Sequence, residues 1–444
     1  MDKARDLALQ VLREVREEGA YANVALVRAL RRQALSDVDR RFVTELVYGA
    51  VKAGDTLDWM LRRYTDRPLT KIPLPIREIL RLGIFQLFFL DRVPKSAAVN
   101  ESVELAKRYG HAGTVRFVNA VLRTAVREPE RAAFPTGKGH ATEHLALSFQ
   151  HPVWLVRRFL KAFGYEETER LLAFDNAPAV LSLRTNTLRT DRDGLLAKLA
   201  AAGVEAEPSA WAPEGILCRQ HGAMDEMAAL KEGLFQVQDE SSMQVAHVLG
   251  ACPGEFVIDA CSAPGGKTTH LAALMENRGR IKAFDIYEGK LKRVEENASR
   301  LGIRIIETEC RDAREIGRYY QEQADRVLVD APCSGLGVLH RRPDARWRKT
   351  ESDIAALPGL QLAILEGAAP AVKPGGVLVY STCTVEPAEN AGVVEQFLAA
   401  HDGFFLEKAG PFLPTRPTDE EMVQFYPQRH GIDGFFIARL RRKE

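Results

Sequence analysis

The chain has 444 residues, of which 46% are hydrophobic and 27% charged, and its formal net charge is +1. This composition is typical of a folded protein of about three domains and excludes an intrinsically disordered chain. The nearly neutral charge provides no global attraction to a polyanion. Any contact with nucleic acid must therefore come from local basic surface.

The cysteines and the apolar runs indicate the class of protein. Six cysteines are spread along the chain without a C-x-x-C pair, which predicts no metal site, and a chain of this length needs no disulfides. The N-terminal residues are charged, unlike a secretory signal, and we expect no apolar run of membrane-spanning length. The expectation is a cytoplasmic monomer with no membrane and no metal partner.

Residues 1–130 predict an all-α domain. Apolar residues recur at helical spacing from Leu7 to Val15, from Phe42 to Ala50 and in three later stretches, and no strand pattern interrupts them. Pairs and single arginines mark these helices: Arg31, Arg32, Arg40, Arg41, Arg62, Arg63, Arg116, Arg123 and Arg127. They are compatible with a solvated helix face and equally with contact to RNA phosphates.

Two further domains follow. Residues 145–235 mix helical stretches with short strands and predict a small α+β module whose role the sequence does not indicate. Residues 236–444 alternate strand, turn and helix, which predicts a mostly parallel, doubly wound α/β sheet. Its predicted strands are Val257–Asp259, Ile281–Asp285, Arg304–Ile306, Val327–Asp330 and Val377–Tyr380, with a late strand near Phe435.

A glycine turn follows the first strand of this sheet. It consists of Cys261, Ser262, Ala263, Pro264, Gly265, Gly266 and Lys267. The turn matches neither the phosphate loop nor the G-x-G-x-x-G fingerprint. Paired glycines nevertheless allow a ligand to approach the backbone, and the next helix offers amides. A purely structural tight turn is the alternative.

Aspartates stand at or just after successive strand ends: Asp259, Asp285, Asp312 and Asp330. Asp285 lies roughly 20 residues beyond the glycine turn, where a carboxylate can accept hydrogen bonds from ribose hydroxyls. Each aspartate alone is compatible with a helix cap or a turn. The series at one edge of a parallel sheet indicates a binding site.

Two cysteines differ from the others. Cys333 and Cys383 each follow a strand end beside turn-forming residues, whereas Cys218, Cys252 and Cys310 are assigned to packing. If their strands are neighbours, both sulfurs face one crevice. Two thiols without metal-ligand spacing can perform addition to and elimination from one substrate.

A basic stretch, His340–Lys349, follows the Cys333 segment and contains Trp347 among arginines that include Arg346. A solvated loop is one interpretation of this stretch. The other is a platform for RNA, on which the aromatic ring stacks with a base and the arginines contact phosphates.

Three segments together resemble the signature motifs of S-adenosylmethionine (SAM)-dependent RNA cytosine-C5 methyltransferases: Asp259–Thr268, Asp330–Gly337 and Tyr380–Thr384. The helical N-terminus is similar to the NusB-like RNA-binding domain of the bacterial 16S rRNA methyltransferase B (Sun/Fmu) type. The resemblance covers nearly the whole chain. It implies a Rossmann-like class I methyltransferase domain, SAM as cofactor and RNA as partner, with small-subunit rRNA as the expected substrate.

The resemblance also implies cofactor contacts. Cys261–Lys267 would line the methionine and ribose end of SAM, and Asp285 would hold the ribose hydroxyls. Asp312 would lie on the adenine side, and Asp330 between the cofactor and the target base.

The catalytic roles implied by the resemblance concern three residues. Cys383 would attack C6 of cytosine, Asp330 would support charge near N3, and Cys333 would help release the product. In a DNA cytosine methyltransferase, Cys333 would attack instead. A tRNA cytosine-C5 methyltransferase and a non-enzymatic, antitermination-like RNA-binding factor are the remaining alternatives.

Overall fold

The computed structural model describes residues 2–137, 139–220 and 227–444, which form two compact units. The helical unit extends to Asn176 and also includes Leu339–Lys349. The α/β unit comprises Ala177–Val338 and Thr350–Glu444. Each unit has its own hydrophobic core.

The α-helices, in chain order, are α1 (Lys3–Glu17), α2 (Ala22–Arg32), α3 (Asp37–Leu61), α4 (Leu74–Phe89), α5 (Lys95–Tyr109), α6 (Ala112–Arg127), α7 (Ala141–Ser148), α8 (Val153–Asn176), α9 (Arg192–Ala201), α10 (Ala228–Lys231), α11 (Glu240–Leu249), α12 (Gly266–Leu274), α13 (Glu288–Leu301), α14 (Ile316–Tyr319), α15 (Ala345–Arg348), α16 (Glu351–Ala368), α17 (Ala391–Ala400) and α18 (Pro427–His430). Short 3-10 turns include Ala313–Glu315, Ala369–Ala371 and Pro387–Glu389.

The strands are β1 (Leu181–Thr185), β2 (Glu205–Pro208), β3 (Gly215–Gln220), β4 (Phe235–Val237), β5 (Phe256–Asp259), β6 (Arg280–Asp285), β7 (Ile306–Cys310), β8 (Ala324–Asp330), β9 (Val372–Thr382), β10 (Phe404–Glu407), β11 (Met422–Phe425) and β12 (Phe435–Arg442). The small sheet has the order β2-β3-β1-β4 and is antiparallel. The large sheet has the order β10-β12-β9-β8-β5-β6-β7, with β11 paired to β12.

The helical unit confirms the predicted all-α N-terminus. Asp2 and Ser36 cap α1 and α3 by accepting hydrogen bonds from backbone amides in the first turn, and apolar side chains such as Leu7 and Leu46 form the core. The helix α2 was not predicted. It begins at Ala22, its N-cap residue Tyr21 makes no side-chain capping hydrogen bond, and Val24 and Val27 are exposed on its surface.

The basic stretch His340–Lys349 lies in the helical unit, although it follows a catalytic-domain motif in the sequence. Arg346 is 1% exposed, and its guanidinium donates to the carbonyls of Gln150 and Asp175 and to the Asn176 side chain. The Trp347 indole donates to the Lys52 carbonyl at 3.0 Å. The hypothesis of an RNA platform is therefore wrong for Arg346 and Trp347, because both are used in the packing of their own unit.

The large sheet confirms the predicted Rossmann-like fold. Strands β7, β6, β5, β8 and β9 are parallel neighbours, and β12 adds to β9 in antiparallel fashion. Helices pack against the sheet, and their apolar residues are buried in two hydrophobic clusters. One cluster includes Leu249 and Leu271, and the other includes Leu365 and Phe397. The order reverses at β5, and ligands bind at such a switch point, outside the carboxyl ends of the strands.

Two sequence expectations need correction. The edge strand β7 begins at Ile306, where the predicted strand ends, because α13 closes at Gly302 and the Arg304 amide bonds to the Asn277 side chain instead of a strand partner. The polar residues of β7 interrupt any apolar run, so the sequence pattern did not mark the bounds of this strand. In addition, no apolar run of membrane-spanning length was expected, but Glu351–Ala371 is long and apolar enough to span a bilayer. This is weak evidence for a membrane span, because buried core helices meet the same criteria.

The packing of Trp347 predicts an energetic coupling with Gly54. Gly54 has a φ of +44°, and a Cβ there would collide with the Trp347 ring. We expect Trp347→Ala to lower the free energy of unfolding of the helical unit by about 2 kcal/mol or more, and Gly54→Ala to destabilise it as well. Urea denaturation of the double variant should show a smaller loss than the sum of the two, because the collision is gone. Additive losses would contradict this packing.

Candidate active site

The two thiols predicted to be functional lie side by side. Strands β8 and β9 are parallel neighbours with Asp330 opposite Ser381, so the loops after both strands leave the sheet at the same edge. Cys333 Sγ lies 3.3 Å from Cys383 Sγ, and both side chains are partly exposed. One substrate atom can therefore be reached by both sulfurs.

The two loops are joined by further contacts. Ser334 Oγ and Thr384 Oγ1 share a hydrogen bond of 2.8 Å. The Gly337 amide donates to the Cys383 carbonyl, and the Gly434 amide donates to the Gly337 carbonyl. A Cβ at either glycine would collide with the other residue, which explains why this close approach requires glycine.

The electrostatic surroundings of the two thiols differ. The hydrogen bond with Cys383, together with burial, raises the pKa of Cys333 well above its ordinary value, and the Glu389 carboxylate adds to this. Burial alone would lower the pKa of Lys267, but Asp330, Cys383 and Asp259 raise it overall. Lys267 and Cys383 therefore interact electrostatically, whereas Glu389 is a charged group that acts on Cys333.

Asp330, at the end of β8, is held from two sides. Lys267 Nζ donates to its Oδ2 at 2.7 Å, and Ser381 Oγ donates to its Oδ1 at 2.9 Å. Lys267 also lies 4.9 Å from the centre of the Phe435 ring, a cation–π contact. The carboxylate and the ammonium group therefore form a fixed pair beside the thiols.

The glycine turn is fixed by buried hydroxyl groups. Thr268 Oγ1 donates to Asp259 Oδ2 at 2.7 Å, and Ser262 Oγ donates to the Phe284 carbonyl at 2.9 Å. Gly265 has a φ of +99° and lies against Val294 of α13. The turn leads directly into α12, whose first residue is Gly266.

The small module supports this turn from behind. Arg184, in β1, is 1% exposed and donates to the Gly266 carbonyl, to Thr269 Oγ1 and to the Gln238 side chain. The module thus contacts the first turn of α12, a role that no sequence pattern indicated.

The aspartates at the strand ends surround the turn. Burial raises the pKa of Cys261 well above its ordinary value, and four nearby carboxylates raise it further: Asp259, Asp330, Asp285 and Asp312. Asp285 and Asp312 also accept hydrogen bonds from the amides of Tyr287 and Arg314, so each has a local structural role too. The structure therefore brings every predicted cofactor-site aspartate to one edge of the sheet.

The donor set fits SAM. A Cβ on Gly266 would meet only Gln238, at 3.9 Å, so packing alone does not require glycine there, and the turn leaves space above it. Asp285 and Asp312 are carboxylates, which accept hydrogen bonds from hydroxyl and amino groups, and both Asp312 oxygens also bind the Arg314 guanidinium.

Several polar residues of the site were missed by the sequence analysis. They are Arg184, Ser381, Gln361, Glu389 and Asn390. The position of Ser381, opposite Asp330 on the neighbouring strand, follows from strand pairing and could have been found. The acidic-amide pair Glu389-Asn390 lies in a loop without periodicity, and the only signal is its closeness to Cys383 in sequence.

The parallel sheet, the glycine turn at its switch point and the ring of carboxylates define an α/β methyltransferase. Comparisons with known proteins agree. Residues 246–441 match the family model "16S rRNA methyltransferase RsmB/F", residues 2–127 match the NusB family, and residues 151–225 match the ferredoxin-like domain of RsmF/B-like methyltransferases.

Relatives cover the whole chain. A probable ribosomal RNA small subunit methyltransferase B of Synechocystis is 42% identical over 100% of both chains, and one of Bacillus subtilis is 40% identical over 99% of this chain and 98% of the relative. The crystal structure of PH0851 superposes with a TM-score of 0.84 at 28% identity, over 100% of this chain and 99% of that one. NSun6 from Pyrococcus horikoshii, solved with SFG, matches 65% of this chain and 97% of its own (TM-score 0.59, 27% identity).

The protein is therefore a member of the RsmB/F family of SAM-dependent 16S rRNA methyltransferases.

The buried carboxyl group of Asp259 predicts a pH-dependent stability. Burial raises the pKa of Asp259 to about 7, whereas an aspartate in an unfolded chain has a pKa of about 3.9. The unfolded state releases this proton first, so the contribution of Asp259 to stability falls as the pH rises from about 4 to about 7. The unfolding free energy of the wild type minus that of Asp259→Asn should fall by about 2 kcal/mol between pH 5 and pH 8, as measured by urea denaturation.

Asp325→Asn is the matched control. Burial alone would raise the pKa of Asp325, but hydrogen bonds from Lys373 and the Phe256 amide lower it overall, so it is fully ionised in this range. We expect the difference in unfolding free energy between the wild type and Asp325→Asn to stay constant between pH 5 and pH 8. An equal pH dependence of the two differences would contradict the assignment to Asp259.

Proposed function

We propose that this protein transfers a methyl group from SAM to C5 of a cytosine in 16S rRNA through a covalent bond between Cys383 and C6 of the base. The observation that carries the proposal is the pair of sulfurs 3.3 Å apart at the carboxyl edge of the sheet. Their unequal surroundings support unequal roles. The cofactor would be held by the turn Cys261–Lys267 and by Asp285, Asp312 and Asp330.

The first step is the attack of Cys383 on C6. C5 of cytosine is a weak nucleophile until a group adds at C6, and a thiolate is the reactive form of cysteine. Lys267 interacts with Cys383, and its positive charge would stabilise a thiolate at that sulfur. This interaction supports Cys383 as the attacking residue, rather than Cys333 as in a DNA cytosine methyltransferase.

Addition at C6 moves electron density onto the ring near N3. The fixed pair of Asp330 and Lys267 would supply a hydrogen bond and a proton on that side, since both groups are held in place before the base arrives. When bound, SAM supplies the electrophilic methyl group that C5 receives. The target base must leave its stack to reach the sulfurs, at a cost of a few kcal/mol.

Release of the product reverses the addition. The C5 proton leaves to water, its electron pair forms the C5–C6 double bond, and the C6–S electrons return to Cys383. The thiol of Cys333 lies within hydrogen-bond reach of the departing sulfur and would stabilise it as a thiolate. Loss of Cys333 should therefore leave the enzyme bound to its RNA.

The helical unit supports RNA as the partner. Most arginines on its helices are exposed: Arg31, Arg32, Arg41, Arg62, Arg63, Arg116, Arg123 and Arg127. Arg40 is partly exposed. Exposed guanidinium groups can neutralise phosphates, which a chain with a net charge of +1 can do only locally.

The two thiols predict opposite phenotypes. Cys333→Ala should accumulate a covalent enzyme–RNA adduct, visible on a denaturing gel, because the Cys383–C6 bond forms but is not released. Cys383→Ala should form neither adduct nor methylated RNA. Cys252→Ala is the control and should behave as wild type, because Cys252 is exposed rather than packed, and it precedes β5, at the opposite end of that strand from the site. An adduct that persists in Cys383→Ala and maps to Cys333 would reverse the assignment.

If 16S rRNA is the substrate, we expect a single modified cytosine in that RNA. Bisulfite sequencing of 16S rRNA and tRNA from a strain lacking the gene should show one 16S cytosine that has lost its C5 methyl group. The wild-type gene should restore it, and the gene encoding Cys383→Ala should not. A restored position in tRNA instead would contradict 16S rRNA as the substrate.

A further inference from the structure

A buried carboxylate holds the loop of Cys333. Glu389, which ends the 3-10 turn Pro387–Glu389, is 0% exposed. Its Oε2 accepts hydrogen bonds from the Ser334 amide at 2.8 Å and from Gln361 Nε2 at 2.9 Å. Gln361 Nε2 also donates to the Pro332 carbonyl at 3.0 Å. Glu389 is therefore connected to both chain neighbours of Cys333.

The next residue, Asn390, makes similar contacts to the chain neighbours of Cys383. Asn390 is 1% exposed, and its Oδ1 accepts a hydrogen bond from Thr382 Oγ1 at 2.6 Å. Its Nδ2 donates to the Thr384 carbonyl at 3.0 Å. Thr382 and Thr384 are the two chain neighbours of Cys383. Adjacent residues of one loop thus contact the neighbours of different thiols, and the Ser334–Thr384 hydrogen bond links the two segments.

The backbone of this pair is itself anchored. The hydroxyl group of Tyr380, a fully buried residue of β9, donates to the Glu389 carbonyl at 2.6 Å. The pair cannot move away from the end of β9 without breaking this bond. A shift of Glu389 would move the Cys333 loop, and a shift of Asn390 would move the segment of Cys383.

We propose that Glu389 and Asn390 are positioning residues that divide the reaction between them: Glu389 places Cys333 for product release, and Asn390 places Cys383 for attack. This inference rests on the proposed function. Glu389 has a second effect in its ionised form. Burial raises the pKa of Glu389, although the hydrogen bonds from Ser334 and Gln361 oppose this. The negative charge of the ionised form then opposes ionisation of Cys333. The thiol then stays available as a hydrogen-bond donor to the departing sulfur.

Two variants test the division with an unmodified 16S rRNA transcript and radiolabelled SAM. In Glu389→Ala, methyl transfer with enzyme in excess should be retained, while release slows by about tenfold to a hundredfold, the range expected for lost hydrogen bonds to a charged group. A covalent adduct should then accumulate on denaturing gels. In Asn390→Ala, methyl transfer with enzyme in excess should itself slow by a similar factor, without an adduct.

Conservative and indirect variants separate positioning from folding. Glu389→Gln keeps an oxygen that can accept from Ser334, so it should accumulate less adduct than Glu389→Ala. Gln361→Ala removes only the link to Pro332 and should show an intermediate level of adduct. Thermal unfolding of each variant shows whether the chain is folded at the assay temperature, and the comparison is made below that transition.

Cys333→Ala, assayed in parallel, distinguishes failure of the proposed function from failure of the division of roles between Glu389 and Asn390. If Cys333→Ala forms no adduct, the proposed function fails. If it forms the adduct but folded Glu389→Ala does not, only the division of roles is wrong. The same holds if Glu389→Ala and Asn390→Ala lose methyl transfer and release in equal proportion.

Discussion

The parallel pairing of β8 with β9 is the constraint on which the site depends. The ladder sets Asp330 opposite Ser381 and thereby determines which residues of the next loops can meet. The two thiols are 50 residues apart in sequence, yet the register brings their sulfurs to 3.3 Å. A slip by one residue would turn the side chains of one strand to the other face. The Ser381–Asp330 hydrogen bond would then be lost together with the pairing of the thiols.

Burial of charge is the second constraint, and it explains the polar network around the sulfurs. A carboxylate taken out of water costs free energy unless donors replace the solvent. Asp259 receives a hydrogen bond from Thr268, and Glu389 receives hydrogen bonds from Ser334 and Gln361. These bonds compensate for burial rather than adding much stability. Their value lies in fixed geometry, since each partner belongs to a loop or helix that contributes to the site.

The sequence was sufficient for the parallel sheet and for the strand ends that Cys333 and Cys383 follow, because apolar runs ending in Asp or preceding Cys follow directly from strand burial and from strand ends. Neighbouring parallel strands then place those ends together. It was insufficient where contacts carry no periodicity. The stretch around Arg346 looked like part of the catalytic surface but packs on residues about 170 positions away, near Asp175. Glu389 and Asn390 are ordinary loop residues in sequence, and only the folded chain shows what they contact.

Two thiols at contact distance would be chemically equivalent in symmetric surroundings, and each would compete for the same carbon. The structure removes the equivalence with groups of opposite charge. Lys267 is a cation that interacts with Cys383, whereas Glu389 is a buried carboxylate that interacts with Cys333. One charge favours a thiolate and the other opposes it. Under the proposed function, this asymmetry would let attack by Cys383 and release through Cys333 proceed without an exchange of roles.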